Sequence, residues 1–403
     1  MTTKNTSRLP DENPFRIPTD NCPEDMRDEI ERVGSLLQAA LDKFKVKGRV
    51  VHAVCGPQAI RYEIQLDTKA AAKRLSRLRD TLSMTLGTAR PVRILLPSSD
   101  TAPAGVEVPR RCRQTVTAQE VFNDTVWLDT RCEVPLMLGR DIEGKCVVID
   151  LAKAPHLLMA GTTGSGKSGL MSLMLHSMLL KFPPDELKLI LFDPKYLEFQ
   201  PYGTLPHLLM PVINEPKQLP RALRRAIGEM DRRYALLSRA RVKKLSEFNA
   251  RPADPPDMTD ADGKPLPRKL PRIVIVIDEL ADIMAVARKE TETALDILAA
   301  RSRAAGIHII AATQRPDTHV VTGSLKNNFP CRIALQMTDT ISSKMVIGQQ
   351  GGESLLGQGD MLLRRGGDIN RIQGGWVPAE EVAAIVEACA RRWPQRFDPA
   401  WQV

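Results

Sequence analysis

The chain has 403 residues, of which 43% are hydrophobic and 26% are charged, enough apolar side chains for two or three folded domains. Lys and Arg number 57 against 48 Asp and Glu, so the formal net charge is +9. This composition excludes a wholly disordered chain and an acidic one. The excess of cations is compatible with an anionic partner but identifies none.

The first 24 residues are rich in Pro, Asn, Asp and Thr and show no helical or strand periodicity, which predicts a flexible arm. They lack the apolar core of a signal peptide, and no run of about 18 uncharged apolar residues occurs that could span a membrane. The seven cysteines are scattered singly, which favours reduced thiols. We therefore expect a cytoplasmic protein that does not insert into a membrane.

Residues 25–110 predict a small α/β domain. Apolar residues recur every three or four positions from Asp25 to Phe44, which indicates an amphipathic helix. Strand-like runs at Val50–Cys55 and Ala59–Leu66 are separated by a Gly-Pro turn, which indicates a hairpin. A basic helix is expected over Lys69–Leu86, followed by a further strand.

Residues 111–375 predict a larger α/β domain, in which short apolar runs alternate with helical stretches. This alternation favours a mostly parallel sheet with helices on both faces. The Pro-rich stretch from Asn249 to Lys269 predicts a surface loop inserted in this domain. Residues 376–403 predict one amphipathic helix and a tail. The expected strands are Val116–Phe122, Val134–Asp141, Lys145–Leu151, Pro155–Ala160, Leu187–Phe192, Arg272–Asp278, Ile307–Thr313 and Cys331–Gln336.

One segment between a predicted strand and a predicted helix fits the Walker A pattern G-x-x-x-x-G-K-[ST]. Glycines in such a loop let backbone N–H groups close around phosphate oxygens. The lysine reaches the β and γ phosphates, and the hydroxyl of the last residue joins Mg²⁺. The pattern predicts binding of ATP and Mg²⁺ by Gly161, Thr162, Thr163, Gly164, Ser165, Gly166, Lys167 and Ser168.

About 110 residues later, the apolar strand Ile273–Ile277 ends in Asp278 and Glu279, as a Walker B segment does. Carboxylates at the carboxyl end of a parallel strand face the crevice where ligands bind. We expect Asp278 to hold Mg²⁺ through water, and Glu279 to orient the attacking water or accept its proton. Taken alone, the pair could also be an acidic helix cap.

Further polar residues are expected beside the same crevice. Thr313 and Gln314 end another strand, where they could sense the γ-phosphate, hold the lytic water or cap a helix. Arg301 and Arg303 end a helix, where they could complement its dipole, or one could act as an arginine finger on a neighbouring subunit's nucleotide. The basic helix within Lys217–Lys244 is expected to be a solvated face, with contact to duplex phosphates left open.

The ordered set of motifs resembles the motor region of the FtsK/SpoIIIE family, double-stranded DNA translocases of the RecA-like ATPase class related to HerA. The resemblance extends from about Arg49 to Gly374. The stretches that carry it include PHLLMAGTTGSGKS (155–168), LILFDPKYLEF (189–199), IVIVIDELADIM (273–284), RAAGIHIIAATQRP (303–316) and LLGQGDMLL (355–363).

The resemblance implies a homo-hexameric ring around duplex DNA, with a small α-type domain and a RecA-like β-type domain. It implies ATP and Mg²⁺ at Lys167 and Ser168, with Asp278 on the metal side and Glu279 activating water. By the same resemblance, Arg303 takes the position of the trans-acting finger, Thr313 and Gln314 that of the sensor, and Arg315 and Lys344 lie in loops turned toward DNA.

The chain also departs from the family pattern. Septal members carry N-terminal membrane spans and a C-terminal winged-helix module, and we expect neither here, which leaves the recruiting partner unknown. Thr340 and Lys344 replace the basic residue and the Arg that are common in one channel loop, so weaker or differently placed phosphate contacts are expected. Two other functions stay open: the ATPase of a protein secretion system, and a nucleotide-gated ring that clamps DNA without moving it.

Overall fold

The computed structural model describes residues 19–20, 26–96, 102–251, 259, 263 and 265–401. The chain divides into two compact units, each with its own sheet and core. The first unit comprises the residues up to Gln114 together with Ile142–Lys145, and the second comprises Thr115–Asp141 and the residues from Cys146 onward. Most of the predicted arm, and part of the predicted Pro-rich loop, lie outside the described residues.

The first unit contains a five-stranded sheet in the order β1-β2-β3-β5-β4, in which β1 runs parallel to β2 and the other neighbours are antiparallel. The strand β1 falls where the sequence predicted an arm. The elements are β1 (Thr19–Asp20), α1 (Arg27–Lys43), β2 (Gly48–Cys55), β3 (Ala59–Leu66), α2 (Lys69–Leu75), α3 (Arg79–Thr85), β4 (Arg93–Leu95) and β5 (Ala104–Pro109).

Helix α1 forms because its apolar residues share one face. Ile30, Val33, Leu37 and Leu41 are buried in the core of the first unit. The single basic helix predicted after β3 is wrong, because it is split into α2 and α3. The hydroxyl of Ser76 donates to the carbonyl of Lys73 (2.9 Å), a local bond that competes with continued helix.

The second unit contains a nine-stranded sheet in the order β7-β6-β14-β13-β12-β8-β11-β10-β9. Its strands are β6 (Pro135–Asp141), β7 (Cys146–Asp150), β8 (His156–Ala160), β9 (Leu187–Phe192), β10 (Arg272–Ile277), β11 (Ile307–Thr313), β12 (Cys331–Ala334), β13 (Asp360–Arg365) and β14 (Asp368–Gly374). Its helices are α4 (Ala118–Phe122), α5 (Thr125–Leu128), α6 (Lys167–Lys181), α7 (Leu219–Arg239), α8 (Leu245–Asn249), α9 (Leu280–Arg301), α10 (Gly323–Asn328), α11 (Thr340–Ile347) and α12 (Ala379–Arg392).

The predicted α/β fold is confirmed, but the sheet is mixed rather than mostly parallel. Strands β9, β10, β11, β8 and β12 are parallel neighbours. Strands β13, β14, β6 and β7 extend this sheet by antiparallel pairing. The sequence predicted these five strands as well as β6 and β7. The strand predicted over Val116–Phe122 is wrong, because Ala118–Phe122 forms α4, whose amino end is capped by the side chain of Thr117.

Helices cover both faces of the parallel half, as strand β10 illustrates. Val274 and Val276 point into the core that contains α6, whereas Ile273, Ile275 and Ile277 point into the core that contains α7 and α9. Alternate side chains of a strand face opposite sides of a sheet, so an apolar run without polar residues requires cover on both. Each of these side chains stabilises the fold by about 1.5–3 kcal/mol.

Register brings the carboxyl ends of the parallel strands to one edge. Thr313 at the end of β11 pairs with Ala160 at the end of β8, and Ile277 at the end of β10 pairs with Phe192 at the end of β9. The loops that follow these four strands therefore begin side by side, which is the geometry of a ligand crevice in parallel sheets.

No helix in the described part of the chain is long and apolar enough to cross a bilayer.

The prediction that the cysteines are reduced thiols is wrong at one position, because Cys55 is disulfide-bonded. The thiols that are free among the described residues are those of Cys112, Cys132, Cys146, Cys331 and Cys389.

Three buried histidines make the stability of the fold sensitive to acid. Burial lowers the pKa of His156 to about 3 and that of His207 and His308 to about 4. The unfolded chain binds their protons below pH 6.5 while the folded chain does not, so stability falls as the pH decreases from about 6.5 to 4.5. We expect a loss of up to about 1.4 kcal/mol per pH unit for each histidine.

Urea denaturation at several pH values between 7.5 and 4.5 measures this slope. The substitution His156→Phe removes one of the three histidines and should reduce their contribution to the slope by about a third. A slope that is equally steep in His156→Phe would contradict the assignment of acid sensitivity to these rings.

Candidate nucleotide-binding site

The predicted phosphate loop connects the end of β8 to the start of α6. Gly164 and Gly166 have φ values of +77° and +98°, which only glycine adopts without strain. Gly166 immediately precedes the first helical residue, Lys167, so the amino end of α6 opens onto the loop. A loop of this shape presents backbone N–H groups and the positive end of a helix dipole to an anion.

The neighbouring strands hold the loop by backbone hydrogen bonds. Gly161 N–H donates to the carbonyl of Thr313 at the end of β11 (3.2 Å). Thr162 N–H donates to the carbonyl of Gln336, two residues beyond β12 (3.0 Å). The beginning of the loop is thus fixed between the two strands that flank β8.

A second loop, which precedes β13, holds the far side of the phosphate loop. Gly359 N–H donates to the carbonyl of Ser165 (2.8 Å), and Gln358 N–H donates to that of Gly164 (3.3 Å). The two backbones are so close that a Cβ on Gly166 would lie 2.2 Å from the amide nitrogen of Gly359. Gly166 is therefore required by packing as well as by its φ value.

Lys167 and Asp278 form a buried ion pair at the base of the loop. Their side chains are only 4% and 1% exposed. Lys167 Nζ donates to the carboxylate of Asp278 and to its carbonyl oxygen (2.8 Å). The other carboxylate oxygen of Asp278 and the hydroxyl of Ser165 are buried without a hydrogen-bond partner among the described residues. Such groups are expected to be satisfied by a polar ligand or by water.

Glu279 caps the amino end of α9, as the alternative interpretation of its motif predicted, by accepting a hydrogen bond from Ala281 N–H (3.3 Å), and it also contacts the end of β11. Its carboxylate accepts hydrogen bonds from the hydroxyl of Thr313 (2.7 Å) and from Gln314 N–H (3.0 Å), and the residue is 3% exposed. The side-chain oxygen of Gln314 accepts a hydrogen bond from Thr163 Oγ1 (3.0 Å). The two predicted sensor residues therefore connect Glu279 to the phosphate loop.

Two further residues reach the site, and sequence reasoning assigned them no role. Ser168 Oγ donates to Glu198 Oε1 (2.5 Å), and Lys195 Nζ lies 3.9 Å from Glu279 Oε2. Glu198 and Lys195, the two further residues, belong to the loop that follows β9. Asp193, a polar residue directly after the apolar strand β9, could have indicated that this loop lies at the site. The carboxyl ends of parallel strands meet at one edge of the sheet, so the loop after β9 is expected beside the loops after the other parallel strands.

Arg303 is not brought to the phosphate loop of its own chain. It is exposed and precedes β11, with its Nε donating to the carbonyl of Ala152 (3.1 Å). The phosphate loop instead contacts Thr313 at the other end of β11, and a strand of seven residues spans about 20 Å. The structure therefore does not place Arg303 among the residues around the phosphate loop of its own chain.

The two candidate DNA-binding residues are both exposed. Arg315 follows the sensor residues, and its N–H donates to the hydroxyl of Thr313 (3.1 Å). The predicted loop position of Lys344 is wrong, because the residue lies in helix α11, whose amino end is capped by the side chain of Asp339. Both cations are therefore accessible to a polyanion in solvent.

The fold is shared with solved ATPases. The pCW3 conjugation coupling protein TcpA with ATPγS superposes with a TM-score of 0.60 at 21% identity, over 89% of this chain and 99% of that one. The cytoplasmic domain of the Thermomonospora curvata type VII secretion ATPase EccC gives 0.57 at 23% identity, over 70% and 34% of the respective chains. The likeness shows that the chain has the fold of these ATPases, with the phosphate loop described above.

Sequence comparison specifies the family. The FtsK alpha domain model matches residues 9–110, and the FtsK/SpoIIIE family model matches residues 119–318. The DNA translocase FtsK of Shewanella oneidensis is 38% identical over 387 residues, 92% of this chain and 42% of that protein. The DNA translocase FtsK of Pseudomonas syringae pv. tomato is 40% identical over 386 residues, which are 92% of this chain and 48% of that protein. The chain belongs to the FtsK/SpoIIIE family and spans less than half the length of these two relatives.

The packing of the phosphate loop predicts opposite effects for two nearby glycine substitutions. Gly166→Ala should lower the free energy of unfolding by about 2–4 kcal/mol, because it combines an unfavourable φ with a backbone clash. Gly169→Ala should raise it by up to about 1 kcal/mol, because Gly169 is helical and a Cβ there meets no atom within 4 Å. Urea denaturation measures both, and a Gly166→Ala protein as stable as the wild type would contradict the described packing.

Proposed function

We propose that the protein is an ATP-dependent double-stranded DNA translocase, a ring motor for segregation or transfer of chromosomal, plasmid or phage DNA. The observation that carries the proposal is the convergence of a preformed phosphate loop with Asp278 and Glu279 at one edge of the sheet. The curated relatives at about 40% identity bear the name DNA translocase, which supports DNA as the substrate. Since ATP and chromosomal DNA are both cytoplasmic, the proposal places its work in the cytoplasm.

The nucleotide would bind with its phosphates in the loop Gly161–Ser168. Lys167 is the group that must rearrange, because its ammonium already has a partner in Asp278. The phosphates offer the Lys167 ammonium a more highly charged partner than Asp278 does. Movement of the ammonium from Asp278 to the phosphates would leave the Asp278 carboxylate available to the metal. Thr313 contributes to the same pocket through its contacts with the phosphate loop and Glu279.

The residues present fit a magnesium ion that is bound together with the nucleotide. Mg²⁺ prefers one or two protein oxygens supplemented by phosphates and water. Ser168 Oγ is the proposed protein ligand, and the unpartnered oxygen of Asp278 would hold the ion through water. When bound, the metal neutralises charge on the phosphates. No group of three or more acidic, His or Cys side chains suited to a metal occurs in the described part of the chain, consistent with dependence on the nucleotide.

Hydrolysis would depend on Glu279 as the general base. Its carboxylate would accept a proton from the water that attacks the γ-phosphorus, while ADP leaves in line with the attack. Hydrogen bonds from Thr313 and Gln314 fix the orientation of this carboxylate. Because Gln314 also contacts Thr163, the base and the phosphate loop would keep their relative positions during the cycle.

The position of Arg303 supports a homo-oligomer, which we propose to be a hexameric ring. Arg303 is exposed at the edge of the sheet opposite its own phosphate loop, so it could stabilise phosphate charge only across a seam between subunits. DNA in the ring would meet cations such as Arg315 and Lys344. Phosphate contacts of this kind are independent of sequence and weaken as salt increases.

ATP hydrolysis with and without long linear duplex DNA tests the proposed function. We expect DNA to stimulate the activity at least tenfold, with Lys167→Ala abolishing nucleotide binding and Glu279→Gln allowing binding but not turnover. Displacement of a triplex-forming strand from the duplex separates a motor from a clamp, which would leave it in place. A rate of ATP hydrolysis that is the same with and without DNA would contradict the proposal and favour a protein-secretion ATPase.

Mixing two inactive variants tests the role of Arg303. Lys167→Ala retains the finger and Arg303→Ala retains the nucleotide site, so each protein alone should be inactive. Random co-assembly places an intact finger beside an intact site at about a quarter of the seams, which should restore part of the ATPase activity. If Arg303→Ala alone hydrolyses ATP normally, Arg303 is not the finger.

A further inference from the structure

The loop after β9, residues 193–199, is fixed in shape by one of its own side chains. Asp193 is fully buried, and its carboxylate accepts hydrogen bonds from the backbone N–H groups of Lys195 (3.0 Å), Glu198 (2.8 Å) and Phe199 (3.0 Å). Tyr196 adopts a φ of +58° within this turn. The loop thus has a defined conformation that depends on contacts within the chain.

This conformation places the carboxylate of Glu198 against the hydroxyl of Ser168. Ser168 Oγ donates to Glu198 Oε1 at 2.5 Å. Ser168 lies in the first turn of α6, so the helix fixes its backbone while Glu198 fixes its hydroxyl proton. A hydroxyl has one proton and two lone pairs. When the proton points to Glu198, a lone pair remains available to a cation.

Asp278 does not compete for this proton. One of its carboxylate oxygens accepts from Lys167, and the other has no partner within the described structure. Ser168 can therefore present a lone pair to a metal ion that Asp278 holds through water, provided that a third group accepts the serine proton. Glu198 meets this requirement, and its negative charge also favours a nearby divalent cation.

We propose that Glu198 is a positioning residue of the magnesium site, which orients the hydroxyl of Ser168 toward the metal. The inference rests on the proposed function and adds a residue to which neither the motifs nor the comparisons assign a role. Groups that orient a metal ligand raise metal affinity by 10- to 100-fold in known sites. Glu198 acts through Ser168 and makes no contact with the reacting atoms in this assignment.

Binding measurements can separate this role from a general effect on the loop. The affinity of full-length protein for a fluorescent, non-hydrolysable ATP analogue is measured in excess Mg²⁺ and again in EDTA. The ratio of the two affinities reports the contribution of the metal. In Glu198→Ala we expect this ratio to fall about 10-fold or more, with the affinity in EDTA unchanged within about twofold.

The backbone of Glu198 supports interpretation of this variant, because its N–H bond to Asp193 does not involve the substituted side chain. Leu197→Ala is a matched control in the same loop, since Leu197 is 71% exposed, and it should keep the wild-type ratio. Glu198→Gln retains an acceptor oxygen and should restore most of the ratio that Glu198→Ala loses.

Three outcomes would overturn the assignment. The first is a wild-type ratio in Glu198→Ala, and the second is an equal loss of affinity in Mg²⁺ and in EDTA, which indicates a structural role. The third is a Glu198→Gln protein that is as deficient as Glu198→Ala. If the wild-type protein itself binds no analogue in either condition, the proposed function fails as well, and this result is distinguishable from the other three.

Discussion

The site depends on the backbone hydrogen bonds that hold the phosphate loop between neighbouring strands. Gly161 and Thr162 donate to carbonyls at the ends of β11 and just beyond β12, and Gly359 donates to the far side of the loop. The loop therefore has its shape because the parallel strands are in register, and an anion site made of N–H groups comes with the fold. Such preorganisation removes the free energy that would otherwise be needed to order the donors during the reaction.

The second feature of the site is the ion pair between Lys167 and Asp278, in which each charge can bind a different partner. A buried ion pair is stable only when its charges are compensated closely, and Lys167 and Asp278 compensate each other in a nearly dry environment. We propose that an incoming polyphosphate binds Lys167, after which the carboxylate of Asp278 is free to interact with a cation. Glu279 and Glu198 add two further carboxylates to this edge, with Lys195 close to the first of them. In the proposed function, a phosphate anion and a divalent cation together complete this arrangement.

The sequence predicts the part of the site that is local in the chain. The phosphate loop, Asp278 and Glu279 follow from short motifs at the ends of apolar strands, and α1 follows from its periodicity. Non-local pairing could not be predicted: β6, β7, β13 and β14 complete one sheet with β12 because of tertiary contacts. Glu198 was missed because its partner lies thirty residues away, and its position depends on a turn that Asp193 organises. The break between α2 and α3 interrupts a stretch whose composition favours a helix throughout, so the sequence pattern does not reveal it.

A structure of the protein with ATPγS and Mg²⁺ tests the central claim most directly, namely that the phosphate loop is formed before the nucleotide arrives. The account predicts that the backbone of Gly161–Ser168 and its bonds to the flanking strands stay in place, within about 0.5 Å. Lys167 Nζ should have moved from Asp278 to the phosphates. A loop that refolds around the nucleotide, or phosphates bound elsewhere while Lys167 stays on Asp278, would contradict it.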